Sequence, residues 1–202
     1  MGKRRLEAAL KLYRERNPDA EEPTVRWLPF QLNPDIPAGG ITRKDYVERK
    51  FGPGGKNKYE RVAAVGKGEG IDFAFDKIEF QPNTVDVHRL IHHATLNGRE
   101  DEINEALFKG FFVEGKNLSD QNTLVDIAVS VGLDRAVVAA YLAGDAGRDI
   151  IREADLEARN AGVQGVPFFI FNRKVGVSGA HEAESLLQAM QQALQDEPDE
   201  PA

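Results

Sequence analysis

The chain has 202 residues, 41% of them apolar, and its 26 Lys and Arg against 33 Asp and Glu leave a net charge of −7. Such a chain can bury a core, as one domain or as a domain with an inserted lobe, while the acidic balance argues against nucleic-acid binding, which usually needs a basic face. It contains no cysteine, which excludes disulfides, thiolate zinc sites and sulfur nucleophiles within this chain. No apolar run reaches membrane-spanning length. The N-terminal MGKRRLEAALKLYRER lacks the apolar core of a secretory signal, so a cytoplasmic location is expected.

In chain order, Lys3 to Asn17 shows Leu6, Leu10 and Tyr13 at helical spacing, with Ala9 and Leu12 beside them and Pro18 as the stop. Thr24 to Leu32 alternates well enough for a strand. Pro29 removes a ladder donor, so an edge strand is expected, followed by the Pro/Gly-rich loop Asn33 to Gly40. From Thr42 the pattern turns helical. One helix, opened by Thr42 or Lys44, runs to about Lys50 and is broken over Phe51 to Gly55, and another runs from about Lys56 to Gly66. Asn83-Thr84 caps a helix to Asn97, and Glu100 to Val113 forms the next. Ser119-Asp120 caps Gln121 to Val131, Asp134 caps Arg135 to Leu142, and Asp145 starts a long helix to Asn160. Strands at Pro167–Phe171 and Val175–Ser178 flank Asn172-Arg173-Lys174, and a helix over His181 to Gln195 precedes a short acidic tail expected to be disordered.

The first helix starts with Lys3-Arg4-Arg5, the wrong sign for the positive end of a helix dipole. That fits either a frayed, solvated N-terminus or a helix that began earlier, with these residues in its interior.

Residues 162–180, GVQGVPFFIFNRKVGVSGA, carry the strongest motif: an apolar hairpin entered through Gly165-Val166-Pro167. This resembles the cis-proline loop and closing hairpin of thioredoxin-fold proteins, and more closely the FrnE-like branch of the DsbA family of thiol–disulfide oxidoreductases. Gly2-Lys3-Arg4-Arg5-Leu6-Glu7, Phe30-Gln31-Leu32-Asn33-Pro34, Asn83-Thr84 with His88-Arg89-Leu90, and Phe112, Glu114, Gly115 and Asn117 to Asp120 extend the resemblance along the chain. It implies an α/β, thioredoxin-like fold with a large inserted helical domain. Residues 1–41 and 162–195 would form the thioredoxin-like part and 42–161 the insertion, with 196–202 as the tail. In the family a first strand leads into Cys-Pro-Trp-Cys and then into a Gly-Lys-Arg-Arg-Leu segment. The first strand and redox motif would therefore lie upstream of residue 1, leaving this chain without catalytic residues or redox activity. The resemblance also implies that Gly165, Val166, Pro167 and His88 bind a peptide or protein thiol/disulfide substrate.

Two alternatives stand beside the redox reading. One is a non-catalytic, chaperone-like remnant that keeps the binding loop. The other is a relative of kappa glutathione transferases and hydroxychromene-carboxylate isomerases, in which Ser178 and Gly179 would sit near glutathione. Exposed sheet edges make a strand-exchanged homodimer conceivable. His88 and His92 have metal-ligand spacing, with His93 adjoining, but no third ligand accompanies them and no metal is expected. The glycines around Lys56 and Lys67 fit no phosphate-binding pattern, and no cofactor is expected.

Overall fold

The computed structural model describes residues 1–52 and 58–195. The chain divides into two units, one built from Met1–Arg26 with the segment from Ala158 onward, the other from Trp27–Glu157.

The first unit holds α1 (Gly2–Arg16), the last elements of the chain and the hairpin between them. Ala9, Leu10 and Tyr13 recur at helical spacing and bury against Leu186, Leu187 and Met190 of the C-terminal helix, Ala183–Gln195. Phe169, Phe171 and Val177 of the hairpin cover this seam. Each fully buried leucine contributes about 1.5–3 kcal/mol, so the pairing of the two helices is the main apolar contribution here. The hairpin strands, Phe168–Phe171 and Val175–Ser178, pair antiparallel with Phe168 opposite Ser178 and Phe171 opposite Val175. Asn172 and Arg173 take left-handed φ values of 48° and 58°, and the Lys174 N–H closes the turn on the Phe171 carbonyl at 2.9 Å.

The second unit is helical. It contains α2 (Arg43–Phe51), α3 (Lys58–Gly68), α4 (Val85–Leu96), α5 (Glu100–Phe112), α6 (Gln121–Ser130), α7 (Arg135–Ala143) and most of α8 (Arg148–Asn160). A short ribbon pairs β1 (Ile41–Thr42) with β2 (Phe80–Gln81), which makes the hairpin strands β3 and β4 and the C-terminal helix α9. The helices start where side-chain acceptors stand. Thr42 accepts from the Asp45 N–H, Asp120 from Asn122 and Thr123, and Asp134 from Val137. The core comprises Leu90, Ile103, Leu107, Leu124, Ile127, Val138 and Leu142 with their neighbours.

One buried charge organises this core. The Arg89 side chain is fully buried; its Nε donates to the Ala146 carbonyl at 2.8 Å, and its Nη atoms donate to Tyr141, Leu142 and Gly144 carbonyls at 2.6–3.2 Å. Nη1 also meets Asp86 Oδ1 at 2.8 Å, and the guanidinium lies 5.0 Å from the Tyr141 ring centroid. Arg89 thus satisfies carbonyls that the C-terminus of α7 leaves unpaired. Gly147 follows at φ 79°, where a Cβ would strike the Tyr141 hydroxyl. This turn explains why α8 starts at Arg148 rather than at Asp145: the Arg148 N–H bonds the Asp145 carbonyl at 3.1 Å, and Asp145 takes Arg148 Nε at 2.9 Å.

The edge strand expected over Thr24–Leu32 does not form; no ladder partner pairs with it among the described residues. Within the helical unit its end is held by side chains. Glu100 Oε1 accepts the Trp27 N–H at 3.0 Å, and Asp155 Oδ1 accepts the Gln31 N–H at 2.6 Å. Side-chain acceptors stand where a neighbouring strand would otherwise supply carbonyls. The start of the helix expected from Lys56, part of the expected break over Phe51 to Gly55, and the acidic tail lie outside the described residues. No helix is long and apolar enough to cross a membrane among the described residues.

Candidate functional site

The hairpin is entered by a loop that begins where α8 ends. Val163 is buried and its N–H returns to the Ala158 carbonyl at 3.0 Å, which fixes the exit; Gln164 and Gly165 then lead outward. Val166 precedes Pro167 through a cis peptide bond. The Val166 side chain is 55% exposed, and its backbone N–H and C=O make no hydrogen bond among the described residues. The Pro167 carbonyl, by contrast, accepts the Gly179 N–H at 2.8 Å, which fastens the loop to the end of β4. β3 pairs with β4 on one side and with no strand on the other among the described residues, and Ile170 on it is 48% exposed.

The first turn of α1 lies against this loop. A Cβ on Gly2 would stand 2.8 Å from Pro167 Cβ and 2.9 Å from Cγ, so only a glycine lets the helix backbone approach the ring this closely. That turn carries no acidic residue and no side-chain cap at Met1, while Lys3, Arg4 and Arg5 bring positive charge to it. Gly165, Val166 and Pro167 therefore share one loop, flanked by Gly2 and Gly179. The contribution of Gly2 is a contact that no spacing rule reveals.

His88 belongs to the helical unit, in the first turn of α4. Its Nε2 lies 3.2 Å from the Phe30 carbonyl and donates to it in the matching tautomer. Burial pushes the imidazole below the usual histidine pKa, opposed by the Phe30 hydrogen bond and the nearby Asp155 charge. The neutral ring so held is a third peg on the extended segment, beside Glu100 and Asp155. Burial also lowers the pKa of His93, which stacks on Tyr141 with ring centroids 4.8 Å apart. No group of three or more His, Cys, Asp or Glu side chains could hold a metal ion among the described residues.

The fold that carries this loop is shared with known proteins. A family model described as a DSBA-like thioredoxin domain matches residues 1–191. The crystal structure of probable DsbA oxidoreductase SCO1869 from Streptomyces coelicolor superposes with a TM-score of 0.88 at 31% identity, covering 100% of this chain and 86% of that one. A solved structure from Nitrosomonas europaea superposes with a TM-score of 0.68 at 13% identity over 98% and 93% of the two chains, which speaks to the fold alone. In sequence, the uncharacterized protein YwbO of Bacillus subtilis (strain 168) is 25% identical over 176 residues, 87% of this chain and 81% of that protein.

Proposed function

From the premise that the chain belongs to the DSBA-like thioredoxin domain family, we propose that it is a FrnE-like member that holds an extended polypeptide against the Gly165–Pro167 loop, and that this cysteine-free chain does not itself exchange disulfides. One observation carries the reading: Val166 is exposed with an unpaired backbone N–H and C=O, directly ahead of a strand whose second edge is open. An extended segment laid there can donate to and accept from Val166 in the manner of strand addition, with Val166 and Ile170 offering apolar contact. Thiol exchange needs a sulfur nucleophile, and none of the 202 residues supplies one.

The test is an NMR titration of the full chain with S-carboxamidomethylated insulin B chain, an extended polypeptide with blocked sulfurs. The expected result is a set of shift changes centred on the Gly165, Val166 and Phe168 amides. Shifts elsewhere with these amides unmoved would sink the proposal. In a thiol-dependent insulin-reduction assay the chain is expected to remain silent.

A second reading concerns the missing chemistry, and the first turn of α1 favours it. Three basic residues, no acidic residue and no side-chain cap suit the interior of a helix better than its start. On this reading a strand and a Cys-x-x-Cys turn precede Gly2 in the intact gene product and fill the open edge of β3. A thiolate at that helix N-terminus would be stabilised by the dipole and become a good leaving group. The coding DNA upstream of the Met1 codon decides the matter: an in-frame Cys-x-x-Cys supports it, and an in-frame stop overturns it.

A further inference from the structure

Arg5, in the first turn of α1, reaches the segment that leaves β4. Its Nη1 donates to the Ala180 carbonyl, and its Nη2 lies 2.9 Å from Glu182 Oε1, with the side chain only 15% exposed. Directly before Ala180, Gly179 takes a φ of 96° and gives its N–H to the Pro167 carbonyl. The same turn is closed on itself: the His181 N–H bonds the Gly179 carbonyl at 3.0 Å, and the His181 Nε2 stands 2.9 Å from the Ser178 carbonyl. A glycine at such a φ has wide conformational freedom. Its direction is fixed by what holds its neighbours, and the residue on its C-terminal side is held by a planar, two-pronged guanidinium.

We propose that Arg5 is a positioning residue. It sets the Val166–Pro167 loop through the Ala180–Gly179 turn, without touching the bound polypeptide. Its effect on binding rests on the function proposed above; its effect on the loop does not.

The experiment uses the full chain and compares Arg5→Gln with Arg16→Gln. Arg16 also ties α1 to α9, through Glu184 at 3.0 Å, but at the opposite end of the helix from the loop. In Arg5→Gln, hydrogen-exchange protection of the Gly179 amide is expected to fall roughly tenfold, the scale of one charge-assisted hydrogen bond. The Leu186 and Leu187 amides should be unchanged. Affinity for S-carboxamidomethylated insulin B chain should fall by a similar factor. Arg5→Lys, which keeps the charge but not the fork, should recover part of both losses, and Arg16→Gln should change neither.

Unchanged Gly179 protection in Arg5→Gln overturns the proposal, as does a uniform loss of protection along α1 and α9, which would mark a merely structural role. If the wild-type chain fails to bind the peptide, the binding reading falls, and Gly179 exchange still decides the role of Arg5.

Discussion

In the helical unit, Arg89 alone gives hydrogen bonds to four backbone carbonyls and one carboxylate around the end of α7, and the stretch beginning at Trp27 is pegged by Glu100, His88 and Asp155. In the α/β unit the polar bonds run the other way. The loop ahead of β3 leaves Val166 unpaired, and the arginines along α1 make their ties to Glu182 and Glu184 at the margin of an apolar seam. The helical unit closes these backbone groups internally, although the Ser119 and Tyr141 hydroxyls stay buried without a partner among the described residues; the other unit keeps Val166 available. A fixed scaffold and the proposed binding loop call for these opposite solutions.

Substitutions at three positions probe how far this contrast holds. The largest expected effect is at Arg89. Arg89→Leu strands the Tyr141, Gly144 and Ala146 carbonyls, leaves Leu142 with Gln121 alone and removes a partner of Asp86, so it should cost about 3–5 kcal/mol in denaturant unfolding. Arg89→Lys should not rescue it, because one ammonium cannot reproduce the forked geometry. A loss under about 1 kcal/mol would mean that the α7 carbonyls find water as readily as they find Arg89.

The next effect falls in the α/β unit. Gly2→Ala should gain the usual helix preference, about 0.5–1 kcal/mol, but must push a methyl into the Pro167 ring, and overpacking costs about 1–3 kcal/mol. A net destabilisation of about 1 kcal/mol is expected by thermal unfolding. A raised Tm would show that the loop yields to α1 rather than resting on it.

The smallest effect is a pH dependence in the helical unit. Because His88 has a lowered pKa in the native state, the unfolded chain binds more protons below about pH 6.5. Stability from this residue is therefore fully present near neutral pH and is lost as the pH falls below about 6.5. His88→Gln should flatten that part of the profile. An unchanged slope in the variant would assign the acid sensitivity to another group.

Much of the helical unit was legible because its starts are local. Thr42, Asp120 and Asp134 cap helices two or three residues away, and the apolar spacing of Leu6, Leu10 and Tyr13 marks the buried face of α1. The hairpin was legible too, since Asn172-Arg173-Lys174 breaks an otherwise apolar run. What sequence reasoning missed is non-local. The backbone acceptors of Arg89 lie 52–57 positions downstream, and Ala180 is 175 positions from Arg5, so the neighbouring sequence marks neither arginine as buried. The stretch from Thr24 alternates like a strand, yet strand formation depends on a partner, and the Trp27 and Gln31 N–H groups go to carboxylates of α5 and α8 instead. Asp145 looks like a cap, but the left-handed Gly147 moves the start of α8 three residues on. In the loop, the family resemblance brought out Val166-Pro167, while the contacts of Gly2 and Gly179 with Pro167 emerged only once the backbone was placed.

Because α1 finds its apolar partners in α9, its oily face is complete only after nearly the whole polypeptide has left the ribosome. At roughly 5–20 residues per second, Leu6, Leu10 and Tyr13 wait on the order of ten to thirty seconds for Leu186, Leu187 and Met190. During that interval the intervening helices can already settle among themselves. The nascent chain thus carries one uncovered amphipathic segment through most of its synthesis, which makes α1 the natural place for a holding chaperone to grip.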